Sequence, residues 1–284
     1  MKYSSLISTE QLAQHLDDPD WIIIDCRFTL TNPNAGLQSY LTAHIPGARY
    51  AHLDNDLSSE ITPLTGRHPL PDAAVLADKL GKWGVDETRQ VVVYDDSFGA
   101  MASRLWWLLR WLGHDTVALL DGGIQRWQQR EKRPVTAELP VIQPTCFNAK
   151  PKREMWVSSE ELDQALQREG ILLLDARSEE RFNGEIEPLD KVAGHVPGAV
   201  NLPFEDNMDL GGTFMPAEEL RTFYLDTING IAAEKVIHMC GSGVTACHNL
   251  LAMEHAGMLG AKLYVGSWSE WITDPKRPVV TGED

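Results

Sequence analysis

The sequence predicts an α/β protein made of two copies of one unit, each a mostly parallel sheet flanked by helices. Three observations carry that expectation. Short β-branched runs alternate with stretches of helical period. The runs are apolar throughout, as strands buried on both faces are. The same landmarks also recur, in the same order, at a spacing of about 150 residues.

Taken in order, Ile7-Ser-Thr-Glu-Gln-Leu12 is matched by Val157-Ser-Ser-Glu-Glu-Leu162, an offset of 150. Both segments open a helix with a capping box, Ser8 with Gln11 and Ser158 with Glu161. The strand Ile22-Ile-Ile-Asp-Cys-Arg27 returns as Leu172-Leu-Leu-Asp-Ala-Arg177, again at offset 150. His44-Ile-Pro-Gly-Ala48 returns as His195-Val-Pro-Gly-Ala199, and Val91-Val-Val-Tyr-Asp95 as Val236-Ile-His-Met-Cys240. Leu119 to Trp127 aligns with Leu263 to Trp271 at offset 144. Ser103 to Leu112 carries an apolar helical face that Gly113 ends. Between the copies, Thr136 to Glu154 holds Pro140, Pro144 and Pro151 without a clear period, and reads as an extended linker. The expected organisation is therefore a domain over 1–135, a linker over 136–155 and a second domain over 156–284.

Composition sets outer limits. The 284 residues are 43% apolar and 23% charged, which is ordinary for globular domains. The formal charge of −16 argues against nucleic acid or an anionic membrane surface as partner, though not against a local pocket for a small anion. No apolar run is long enough to span a bilayer. The opening residues lack a signal-peptide core, and Cys26, Cys146, Cys240 and Cys247 show no framework spacing, so a reduced, cytoplasmic setting is expected. Neither a redox C-x-x-C pair nor metal-ligand spacing occurs, so no metal or cofactor is expected.

Chemistry concentrates at Cys240-Gly-Ser-Gly-Val-Thr245. An apolar run ends at Cys240, a tight loop follows, and a helical pattern runs from Thr245 to about Gly257. A thiol at a strand's carboxyl end, facing a helix N-terminus, lies where ligands bind in such sheets and where negative charge is favoured. That favours the thiolate. Gly241 and Gly243 permit backbone angles that let the N–H groups from Gly241 to Thr245, through Ser242 and Val244, form a concave anion nest. The Thr245 hydroxyl either adds a donor or caps the helix. Asp95 holds the equivalent place in the first copy. A carboxylate cannot carry sulfane sulfur, so the first domain is expected to be catalytically silent, with Asp95 capping the helix near Ser97 to Met101.

The duplicated layout, the Asp-x-Arg and His-x-Pro-Gly-Ala elements and the cysteine loop together resemble tandem-domain rhodanese-type sulfurtransferases. The loop is closest to the 3-mercaptopyruvate sulfurtransferase signature. Thiosulfate-using rhodaneses carry basic residues directly after the cysteine, where this chain has Gly241 and Ser242. The resemblance implies two rhodanese-like domains and a double displacement through a Cys240 persulfide. A small anionic donor, 3-mercaptopyruvate or alternatively thiosulfate, gives sulfur to cyanide, a thiol or thioredoxin. It also implies that Arg181 binds the donor; the rival reading pairs Arg181 with Glu179 or Glu185. The second arginine usual in mercaptopyruvate enzymes falls at Asp190, which leaves Lys191 or Arg67 as a substitute. Ser242 and His44 stand at the positions of a serine–histidine–aspartate relay whose aspartate is Pro33 here. Alternatively, Ser242 gives the donor one hydrogen bond, while His44 and His195 lock their Pro-Gly turns.

Rival chemistries fit less well. A cysteine phosphatase needs an arginine closing its loop, and Ala246 and Cys247 stand there. A dinucleotide fingerprint lacks its downstream acid. Papain-like catalysis needs a histidine far beyond the 44 residues after Cys240. A non-catalytic persulfide carrier serving a protein partner remains the alternative of another class. Cys247 reads as buried packing or as a resolving thiol.

Overall fold

The computed structural model describes residues 2–282, and the chain divides into two units, each with a parallel five-stranded sheet. The first unit takes the chain up to Ser59, then Pro71–Lys152 and Leu210–Phe214. The second takes Glu60–Leu70, Arg153–Asp209 and the chain from Met215. Neither unit is one continuous stretch, unlike the expected 1–135 and 156–284.

In the first unit the strands are β1 (Leu6–Ile7), β2 (Trp21–Asp25), β3 (Arg49–Tyr50), β4 (Gln90–Tyr94) and β5 (Val117–Leu120), in the order β1-β5-β4-β2-β3. The central strands β4 and β5 are buried at every residue, which is why their sequences are apolar without alternation. Around the sheet lie α1 (Thr9–Ala13), α2 (Ala35–Thr42), α3 (Leu53–Asp56), α4 (Ala73–Lys82) and α5 (Ala102–Trp111). The Ser8 hydroxyl accepts from the Gln11 N–H while the Gln11 side chain accepts from the Ser8 N–H, the expected capping box. Trp106 and Trp107 on α5 are core residues, 1% exposed or less. A π-helical turn, Gln125–Arg130, replaces a regular helix around buried Trp127. The proline-rich segment is extended and fastened to this unit: Thr145 N–H donates to the Gly81 carbonyl at 2.8 Å, and Lys150 N–H to that of Leu112 at 2.8 Å.

The second unit repeats the plan. Its strands β6 (Trp156–Val157), β7 (Leu172–Asp175), β8 (Ala199–Asn201), β9 (Val236–Met239) and β10 (Lys262–Tyr264) run in the order β6-β10-β9-β7-β8. Its helices are α6 (Ser159–Leu166), with the Ser158–Glu161 capping box, α7 (Glu179–Phe182), α8 (Ala217–Ile228), α9 (Ala246–His255) and α10 (Ser267–Trp271). Trp268 and Trp271 are buried in its core. Since every strand pair is parallel, all carboxyl ends of a sheet point one way. Cys240 directly follows the central strand β9 at that end, where the crevice of a parallel sheet lies. No helix among the described residues is long and apolar enough to cross a membrane.

Candidate active site

Cys240 is 1% exposed and is held from both sides. Its N–H donates to the Ser267 Oγ at 3.1 Å, and its carbonyl accepts from the Trp268 N–H at 3.0 Å. The Gly241 carbonyl accepts from the Ser269 N–H at 2.9 Å. The start of α10 thus fixes the backbone of the cysteine loop. Ser267 does this with φ at +51°, a left-handed conformation that costs a serine energy and marks a constrained site. The Gly243 N–H, placed by a φ of +76°, points at the Cys240 Sγ at 3.2 Å. The Thr245 side chain makes no capping bond to α9, so of its two expected roles the cap is not realised. Cys247 is fully buried with its Sγ 3.3 Å from the Gly243 carbonyl.

The first unit shows what this loop does with a fixed anion. Asp95 Oδ1 accepts from the N–H groups of Ser97 and Gly99 at 2.9 Å each. Its Oδ2 accepts from those of Met101 and Ala102 at 2.8 Å each. The expected capping by Asp95 is present, and its carboxylate goes further, filling a ring of four donors from Ser97 to Ala102. Asp95 and Cys240 are 145 residues apart and Leu119 and Leu263 are 144 apart, so the second loop is one residue shorter; in the 144 register Gly99 corresponds to Gly243. Met101 and Ala102 correspond to Thr245 and Ala246.

Arginines converge on Gly241. A Cβ built there would lie 2.8 Å from Arg67 Nη2 and 3.4 Å from Arg181 Nη1, so both guanidinia pack directly on the loop, and a side chain at this position would push the Arg67 guanidinium aside. Arg67 comes from the Glu60–Leu70 segment of the second unit. Its N–H donates to the Ser269 Oγ at 3.0 Å, and its guanidinium pairs with Asp190. Arg181 leaves α7 and pairs with Glu187 at 2.8 Å and Asp190 at 3.3 Å, not with the Glu179 or Glu185 of the rival reading. Arg177 binds Asp175 at 2.8 Å, lies over the Trp268 ring at 4.8 Å and is raised by that carboxylate against the effect of its burial. Arg67 Nε is a buried N–H group without a hydrogen-bond partner, and Arg177 Nη1 faces the Glu187 carboxylate at 3.5 Å without a hydrogen bond.

The histidine beside Ser242 is His68, not His44. His68 Nδ1 lies 2.7 Å from the Ser242 Oγ, and both side chains are buried. His44 belongs to the first unit, where its Nδ1 and Nε2 lie 2.6 and 3.2 Å from the Tyr40 and Glu138 carbonyls and its ring stacks on Tyr40. That arrangement holds the turn before Pro46, and the His44–Thr136 bridge continues it. His195 likewise meets the Phe182 carbonyl at 2.8 Å and bridges to Val280. The sequence signal for His68 is its place directly after Arg67, the expected substitute guanidinium. Lys191 is exposed, and Arg67 is the basic group at the loop.

Buried cysteines need not be reactive. Burial, reinforced by the carboxylates of Asp25, Asp95 and Asp56, pushes the Cys26 thiol well above its usual range.

Comparison with known proteins gives the family of the chain. The rhodanese-like domain model matches twice, over residues 8–130 and 158–274. A protein of Pseudomonas aeruginosa named probable 3-mercaptopyruvate sulfurtransferase is 46% identical over 100% of both chains. A putative thiosulfate sulfurtransferase of Mycobacterium tuberculosis is 37% identical over 98% of this chain and 97% of its own. The structure of 3-mercaptopyruvate sulfurtransferase from Leishmania major matches with a TM-score of 0.82 at 30% identity, covering 94% of this chain and 74% of that one.

Proposed function

The chain belongs to the rhodanese-like family and is a sulfurtransferase, and on that premise we propose that 3-mercaptopyruvate is its donor and Cys240 its nucleophile. The observation that carries this reading is the Gly243 N–H aimed at the Cys240 sulfur while Arg67 and Arg181 flank the same loop at Gly241.

In the first half-reaction the Cys240 thiolate attacks the donor sulfur. An S–S bond forms to Sγ, the donor C–S bond breaks, and its electron pair leaves with the pyruvate enolate. The donor thiol proton leaves through the Ser242 hydroxyl to His68, and the enolate takes a proton at carbon. Arg67 and Arg181 hold the carboxylate; Arg67 supplies the second guanidinium that the sequence lacks at Asp190. The outer persulfide sulfur then carries the negative charge, and the N–H groups of Gly243, Thr245 and Ala246 receive it as their counterparts receive Asp95. In the second half-reaction a small nucleophile attacks that outer sulfur, the S–S bond breaks, and the Cys240 thiolate returns. Cyanide leaves as thiocyanate; reduced thioredoxin is the proposed protein acceptor and the cytoplasm the proposed setting. Asp95, its carboxylate already filling its own nest, makes the first unit catalytically silent.

The test is kcat/KM for 3-mercaptopyruvate and thiosulfate side by side, with cyanide as acceptor. A preference for mercaptopyruvate and loss of transfer in Cys240→Ser are expected. A preference for thiosulfate overturns the donor assignment. Substantial activity in Cys240→Ser overturns the nucleophile. Turnover with neither donor, in a protein that still accepts persulfide sulfur, indicates a carrier.

A further inference from the structure

Asp190 departs from the arginine that the family resemblance leads one to expect, and it does not simply leave a gap. Its Oδ2 lies 3.3 Å from Arg181 Nη2, and its Oδ1 pairs with Arg67 Nη1, so one carboxylate bridges the two guanidinia packed on Gly241. The Asp190 side chain is only 5% exposed. The segment that presents it is built for the purpose. Glu187 Oε1 accepts from the N–H groups of Leu189 at 3.0 Å and Asp190 at 3.1 Å, while both Glu187 oxygens bind Arg181. Burial alone would push the Glu187 carboxyl up. The Arg181 pairing and these N–H groups outweigh it and hold Glu187 below the usual carboxylate range.

The ion-paired network therefore sets Arg67, Arg177 and Arg181 against Asp175, Glu187 and Asp190, with no net charge. A donor entering it gains directional hydrogen bonds from the arginines but little net attraction. Each negative charge it brings beyond the first meets a neutral cluster and the Cys240 thiolate.

We propose that Asp190 is the donor-discriminating residue of this site, an internal carboxylate on the Arg67–Arg181 pair that disfavours doubly charged donors relative to singly charged carboxylates. The proposal rests on the sulfur-transfer reading above. Because Coulomb energy is linear in the charge of the ligand, removing one negative charge should change the affinity of a dianion by about the square of the change for a monoanion.

In Asp190→Asn the KM for mercaptopyruvate should fall about threefold and that for thiosulfate about tenfold, with kcat at saturating cyanide nearly unchanged. Arg67→Gln removes a positive charge from the same bridge and should move the thiosulfate-to-mercaptopyruvate ratio in the opposite direction. A merely structural salt bridge would impair both variants in the same sense. Alkylation of Cys240, followed by peptide mapping, reads the same charge without turnover. The rate with iodoacetate relative to neutral iodoacetamide should rise about threefold in Asp190→Asn and fall in Arg67→Gln. Donor and alkylation ratios that stay at wild-type values in both variants overturn the proposal. If the alkylation ratios shift while neither donor is turned over, the charge role of Asp190 stands and the sulfur-transfer reading is what fails.

Discussion

Ser242 and His68 meet at 2.7 Å inside the second unit, and their chemistry separates the two donors. Mercaptopyruvate must lose a thiol proton and its enolate must regain one at carbon. Thiosulfate brings no proton, and its leaving sulfite needs none. His68→Gln should therefore lower kcat with mercaptopyruvate by about a hundredfold, the usual scale of a positioned acid–base group, and change kcat with thiosulfate by less than threefold or so. Equal losses with both donors would show that His68 only props the loop. At this scale the sequence was partly readable. Cys240 and its loop are one contiguous hexapeptide, so their chemistry could be inferred from neighbours in the chain. Arg67 meets Asp190 across 123 residues and His68 meets Ser242 across 174, and no local pattern encodes these meetings. Of the two readings of His44, the turn lock agrees with its contacts to Tyr40 and Thr136, whereas the relay reading does not, since a motif position carries no information about which distant serine a histidine reaches.

The strand-end loop is the element that the two units share, and each closes it on a different side chain, Asp95 in the first and Cys240 in the second. After β4 the loop closes on Asp95, whose four hydrogen bonds at 2.8–2.9 Å make it 1% exposed and permanently occupied. After β9 the corresponding loop holds the Cys240 sulfur, with the Gly243 N–H pointing at it at 3.2 Å. Asp95→Ala leaves the amide donors of Gly99 and Ala102 buried without an acceptor, and those of Ser97 and Met101 partly so. At about 1–3 kcal/mol for each unsatisfied buried donor, the first unit should lose on the order of 3 kcal/mol or more. Urea denaturation reads this loss, and the two units require that a separate first-unit transition be allowed for. Asp95→Asn, which keeps one acceptor oxygen, should lose roughly half as much, and kcat per folded molecule should hold in both. A kcat loss of a thousandfold would refute the silent first unit. The elements themselves were legible because the periodicity is local: the capping boxes at Ser8 and Ser158 and the apolar strands formed where expected. The assignment of Glu60–Leu70 to the second unit was not legible. That segment has no helix or strand of its own, and it is held by contacts such as Gly66 against Ser269 and Gly266.

Over the whole molecule, acidification sets two opposing terms against each other. The formal charge of −16 relaxes as carboxylates protonate, which reduces self-repulsion and favours the folded chain. Those charges are mostly exposed, and salt screens them beyond about 8–10 Å. The opposing term is buried in β9. His238 is fully buried, its Nε2 lies 3.0 Å from the Met253 sulfur, and its Nδ1 has no hydrogen-bond partner. Burial drives its pKa down from 6.5 to about 3. The unfolded chain therefore takes up a proton on this side chain as pH falls through 6.5, while the folded chain stays neutral there until about pH 3. Stability is full above 6.5 and falls by about 1.4 kcal/mol for each unit of pH below it. At pH 5 this single group costs about 2 kcal/mol. His238→Leu removes the titration and keeps an apolar side chain beside Met253. Its denaturation free energy at pH 7 should change little, whereas at pH 5 its deficit relative to its own neutral-pH value should be about 2 kcal/mol smaller than that of the wild type. Parallel stability curves for the two proteins between pH 7 and pH 5 would mean that water reaches His238 and that β9, the strand leading into Cys240, is looser than its burial indicates.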